Sequence, residues 1–417
     1  MIISRNFAVS LCWLGIGLVT TVDAGTGPAP AIPAPGVSAS GTGATGILIG
    51  QLATGSAWDH WWSLASLYKN DTNPWLQELA IQGQVQTQYA YGSDATGQYG
   101  TGDLADSAGW GDLEARRFRL GLKARAFGWL KYHCLLDLYP DLSPRVYKDL
   151  AEMYLTATAG DAFNFSVGKR ELKFTREQEL SSSEYLTFER SQLVNMFYGG
   201  ELTGAWICGK GLAGGWFYEM GAYANDRKDE WTSFDGGTMI LGKIGYNYTG
   251  RTSFDLAQAA FHYLHNTEPG YVQGCNAASP NYSDCIAISN DLTKGHCALS
   301  TELFWGDGVN GRPDVWGVSA MPTYYLTDKL QLVTTVQWAG SGEANGMVLP
   351  TRYEALSPGV GDKRGDAYWA GYAGLNYYFY GHKLKVMSGV KYTYMDGGSG
   401  GGDFNGWTWL AGMRMAF

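Results

Sequence analysis

The chain has 417 residues, among them 58 glycines and 27 tyrosines, with aromatics at 14% and charged residues at only 17%. Glycine stands at about twice its usual ~7% without the three-residue period of collagen, the aromatics exclude disorder, and no stretch after residue 24 holds eighteen consecutive apolar residues. A formal net charge of −9 argues against a nucleic-acid partner.

The first 24 residues read as an export signal: Arg5, an apolar run from Phe7 to Val22, and small residues closing at Ala24 before Gly25. That run is short for a membrane anchor. Residues 25–56 are a Pro/Gly/Ala-rich linker with little to bury. In AWDHWWSLASLYKND the residues Trp58, Trp61, Trp62, Leu64 and Leu67 share a helical face, so 57–80 is expected to be a short periplasmic segment with an amphipathic helix packed through its tryptophans.

From residue 81 the dominant period is two, and 81–417 reads as a transmembrane β-barrel. In LEARRFRLGLKARAF, Phe118, Leu120 and Leu122 alternate with Arg117, Arg119, Lys123 and Arg125; one face suits hydrocarbon and the other water. WLKYHCLLDLY repeats the alternation with Lys131, His133 and Asp137, as does HKLKVMSGVKYTYM with Lys383, Lys385 and Lys391. Tight turns such as Thr249-Gly250 and Tyr380-Gly381 alternate with long polar loops near 93–112, 173–197, 266–282, 339–366 and 396–405. Fifteen strands are evident, and an even number requires one more between His265 and His296; DCIAISN supplies it, making an all-β, sixteen-stranded antiparallel barrel.

RRFRLGLKARAFGWLKYHCLLDL, FNFSVGKRELKF, SSSEYLTFERSQLVNMF and the terminal Phe417 together resemble the phosphate-selective porin O and P family of outer-membrane porins. The resemblance implies a homotrimer of sixteen-stranded barrels with a basic lumen narrowed by an inserted loop. Such an ending looks like the recognition signal of barrel-assembly machinery.

By phase, Arg117, Arg119, Lys123, Arg125, Lys131, Arg170, Lys243, Lys383, Lys385, Lys391 and Arg414 point into the lumen, against fewer acids, chiefly Asp137, Glu152 and Glu219. The loop from Lys173 to Phe197 is long enough to fold inward, with Arg176, Tyr185, Glu189 and Arg190 as lining candidates. Cys275 and Cys285 have a spacing that readily closes a disulfide beside an external loop, whereas Cys134 reads as a small hydrophobe. Asp103, Asp106 and Asp362 are external acids suited to bridging cations to lipopolysaccharide phosphates. No CxxC, helical His pair or Ser/His pair supports a structural zinc site or catalysis, and no cofactor is expected.

The expected function is passive diffusion of small hydrophilic solutes across the outer membrane with a preference for anions, phosphate or polyphosphate being the solutes the resemblance suggests. A general weakly selective porin and a structural or adhesive protein with a plugged barrel are the alternatives.

Overall fold

The computed structural model describes residues 57–94, 97–99, 112–139, 145–226, 230–269, 281–350, 352–357, 364–397 and 402–417. The expected signal, the linker, Cys275 and the three external acids lie outside them. Sixteen antiparallel strands form one closed ring. In chain order they are β1 (Leu76–Asp94), β2 (Asp112–Ala126), β3 (Leu130–Leu138), β4 (Tyr147–Thr158) and β5 (Asn164–Glu171). After a long inserted loop come β6 (Glu201–Leu212), β7 (Trp216–Asp226), β8 (Ser233–Asn247), β9 (Leu256–Asn266), β10 (Tyr282–Lys294) and β11 (Cys297–Gly308). The ring ends with β12 (Val315–Thr327), β13 (Leu330–Ser341), β14 (Ala367–Tyr378), β15 (Leu384–Asp396) and β16 (Phe404–Ala416), which pairs back onto β1 from Gln84 to Asp94. The sixteenth strand read from DCIAISN is β10.

Alternation decides which face meets lipid. Leu120 and Leu122 on β2, Phe165 and Val167 on β5, Val386 and Val390 on β15, and Trp407 and Trp409 on β16 are exposed outside. Their in-phase neighbours turn inward, and ring closure pairs the backbone groups that hydrocarbon cannot satisfy.

β1 extends past the end of β16 on the short-turn side. There a short strand, Ser66–Lys69, pairs with Glu78, Leu79 and Ala80 in line with β16, and the Ala65 carbonyl accepts from the Ile81 amide. Helix α1 (Ala57–Ser63), shorter than the tryptophan spacing suggested, sits on this seam. The Trp62 indole donates to the Ala416 carbonyl at 2.6 Å, its ring lies 5.1 Å from that of Tyr380, and the Tyr380 hydroxyl donates to Asp59.

Candidate functional site

β6 to β12 depart from simple alternation because several of them are apolar on both faces. Met239 and Leu241 of β8 point inward while Ile240 and Ile244 point out; Phe304 of β11 points inward between the outward Leu303 and Trp305. The β5–β6 loop, residues 172–200, covers this inner apolar wall with Phe174, Leu193, Val194, Met196 and Phe197. Each large side chain so removed from lumenal water contributes roughly 1.5–3 kcal/mol. Two glycines make the approach possible: a Cβ on Gly306 would stand 2.5 Å from Phe197, and one on Gly317 2.6 Å from Leu193.

Polar contacts fix the rest of the loop across the barrel. A capping box at Thr175 starts the helical turn Arg176–Glu179, whose Arg176 pairs with Asp291 at 2.6 Å while its amide donates to Glu302. Lys243 binds Glu179 of the loop at 2.6 Å, beside the wall pair Arg170–Glu219. Ser191 caps the turn Gln192–Met196, and the Gln192 amide donates to the Gln337 side chain at 2.9 Å. On the opposite wall Arg414 donates to the carbonyls of Ser182, Tyr185 and Phe188, and Lys385 to that of Tyr185. The loop therefore narrows the lumen from β8 round to β16.

Two cavities remain beside it, of about 550 and 510 Å³. Both are lined by Arg116, Glu189, Arg190, Asn195 and Tyr198, which mark the level between them. Arg117 and Arg119 line the second cavity, and Lys391 and Arg352 the first. Arg119 faces Asp137 at 3.6 Å, Arg190 pairs with Glu171, and Lys391 with Glu354. Arg117 instead donates to the Gln86 side chain at 2.9 Å and, among the described residues, forms no ion pair. The guanidinium carbons of Arg117, Arg190 and Arg414 stand 5.8, 5.0 and 5.5 Å from the Tyr185 ring centre.

The remaining residues expected in the lumen are sorted by the loop. Lys243, Lys385 and Arg414 are buried between wall and loop, and Arg170 is buried against the wall residues Glu219, Tyr223 and Trp206, rather than open to a passing solute. Arg176 likewise anchors the loop instead of lining a cavity. Lys123, Arg125 and Lys131 line neither cavity; Arg125 pairs with Asp71 next to the short strand. Lys383 sits exposed on the turn before β15, over the Tyr380 ring. The acids Asp137, Glu152 and Glu219 do face inward, on Arg119, His133 and Arg170. Cys285 is a free, buried thiol, and with Cys275 outside the described residues the expected bridge has no structural support.

Strict alternation missed Arg116. A bulge sets Gln86 against Arg117 but Thr87 against Ala115, so Arg116 joins Arg117 on the inner side. There its Nε and Nη2 meet the two Glu189 oxygens at 2.5 and 3.0 Å. Burial works to raise the Glu189 carboxyl, yet Arg116, with Arg117 and Arg352, holds it well below the ordinary carboxylate range. On Glu179 burial is likewise outweighed by Lys243, His262 and Arg176, which bring it down to about 2.

A closed sixteen-stranded barrel with an apolar outside and a charged, loop-narrowed inside defines an outer-membrane porin. A model of the family described as phosphate-selective porin O and P matches residues 85–273, bearing out the resemblance read from the motifs. Among solved structures, an anion-selective porin from Comamonas acidovorans is similar at 13% identity and a TM-score of 0.55, over 82% of this chain and 99% of that one. The outer membrane channel DcaP of Acinetobacter baumannii is similar at 14% and 0.51, over 84% and 99%. The trimer form of OmpT of Vibrio cholerae is similar at 12% and 0.51, over 81% and 99%. At these identities the likeness is one of fold. No curated protein matches the chain.

Proposed function

We propose that this porin is a passive channel for small hydrophilic solutes with a preference for anions, working as a homotrimer in the outer membrane. The observation that carries the reading is the set of basic side chains lining the two cavities: Arg116 and Arg190 at the level they share, Arg117 and Arg119 in the second cavity, and Arg352 and Lys391 in the first. A unit charge ~5 Å from an ion contributes roughly 0.8 kcal/mol even at the dielectric of water, and screening over ~10 Å at 0.1 M leaves only the nearest groups effective. Cations lining the cavities that a solute must cross therefore act on a passing ion more strongly than Lys123 and Arg125, which line neither cavity.

Guanidinium groups also suit phosphate or polyphosphate as solutes, since a planar fork matches tetrahedral oxyanions and carboxylates alike. The trimeric form of OmpT supports three barrels side by side. Purified protein in planar bilayers should give steady ohmic steps, in triplets if the trimer is intact. A barrel plugged by its loop, as in a structural or adhesive protein, would give none.

A further inference from the structure

The long β13–β14 connection does not stay outside. Met347, Leu349 and Glu354 are fully buried, and Tyr353 nearly so. The segment is tied to the first inserted loop by Gln192 Nε2, which donates to the Val348 carbonyl at 2.8 Å. On one side Glu354 accepts from Lys391 and, at 3.1 Å, from the Thr393 hydroxyl. On the other, the Tyr353 hydroxyl donates to Glu114 at 2.9 Å, Arg352 pairs with the same carboxylate, and Arg352 Nε stands 3.6 Å from the Glu189 oxygen that Arg116 holds. The constriction thus has a second wall, supplied by a different part of the chain.

We infer that Arg352 is a specificity-determining residue of this channel. Arg116, Arg352, Glu114 and Glu189 form one cluster of two cations and two anions, neutral in sum. Its members are not equally accessible: the side chain of Arg352 is 37% exposed, against 25% for Glu189, 21% for Glu114 and 19% for Arg116. A solute crossing this level therefore meets the Arg352 guanidinium first, with the carboxylates drawn back behind it. Removing that one charge leaves Glu114 and Glu189 facing Arg116 alone, so the cluster goes from neutral to net negative while the barrel wall is untouched. This inference rests on the anion-preferring reading and adds to the strand arginines a side chain carried by a loop.

The test compares the unmodified protein with Arg352→Gln and Arg352→His in a KCl gradient. Arg352→Gln is expected to lower the anion-to-cation permeability ratio by up to about sixteenfold before salt screening, since one unit charge at ~5 Å acts about fourfold on each ion and in opposite directions. Arg352→His should show a ratio that follows pH, more anion-selective at pH 5 than at pH 8, because an imidazole charges within that range. Loss of packing alone would shift both variants equally and without pH dependence. An unchanged ratio in Arg352→Gln, or a pH-independent one in Arg352→His, would overturn the assignment to Arg352 while leaving anion preference in the unmodified protein intact. Cation preference in the unmodified protein would instead refute the reading on which it rests.

Discussion

Arg414 on the last strand holds Tyr185 on the inserted loop, donating to its carbonyl at 3.5 Å with the guanidinium 5.5 Å from the ring centre. The same guanidinium serves the Ser182 and Phe188 carbonyls, so one side chain organises seven residues of the constriction. Arg414→Met should leave those carbonyls without a charged donor, loosening the loop by roughly 2–4 kcal/mol. Single-channel records should then show larger and noisier steps. Quiet steps of unchanged size would mean that the apolar side of the loop seats it unaided.

That apolar side has its own test in Gly306. A methyl there would stand 2.5 Å from Phe197 Cε1, so Gly306→Ala should cost about 1–3 kcal/mol by overpacking. Trypsin should then cut the folded barrel faster after Arg176 or Arg190. The mobility of the folded band in unboiled gels should not change, because β11 keeps its pairing.

These features were unequally legible in the sequence. The phase of β2, β3 and β15 shows plainly because each meets water on one face and lipid on the other. Inward folding of residues 172–200 was suggested by length and by the family resemblance. A sharper signal was present in β8 and β11, where Met239, Leu241 and Phe304 make the inner face apolar; water alone would not favour such a wall, so something must cover it. Arg116 was hidden by a one-residue bulge, which inverts the face from that point on. The β13–β14 insertion was hidden too, since its apolar anchors, Met347, Leu349, Tyr353 and Ala355, are scattered without a strand or helix period through a polar stretch. Which cations stay open to solute depended on carboxylates brought by the loop, such as Glu179 for Lys243, and no local pattern reports that.

The seam on the short-turn side predicts a stability effect. Trp62→Ala removes the hydrogen bond to Ala416 and the ring contact with Tyr380, worth about 1–2 kcal/mol for a partly buried indole. The temperature at which the folded gel band disappears should fall by several degrees, with bilayer conductance unchanged. No change would show that the short strand Ser66–Lys69 secures the seam without α1.

Acid should affect the loop late. Glu179 and Glu189 have carboxyls depressed by their cationic partners, so their contribution is fully present above the unfolded value of ~4.3 and is lost only as pH falls toward the folded values. Conductance and selectivity of the unmodified channel should therefore be flat from pH 8 to pH 5. A marked change within that range would show that groups other than these two carboxylates govern the constriction.

The central claim is that basic side chains lining the two cavities set the ion preference, and the reversal potential in a KCl gradient tests it most directly. Arg117 is the informative position, because it lines the second cavity without a carboxylate partner among the described residues. The unmodified protein should report anion preference, and Arg117→Glu should move the reversal potential toward that of a cation-preferring channel while the folded band is retained. Cation preference in the unmodified protein, or an Arg117→Glu channel with the original reversal potential, would contradict the account.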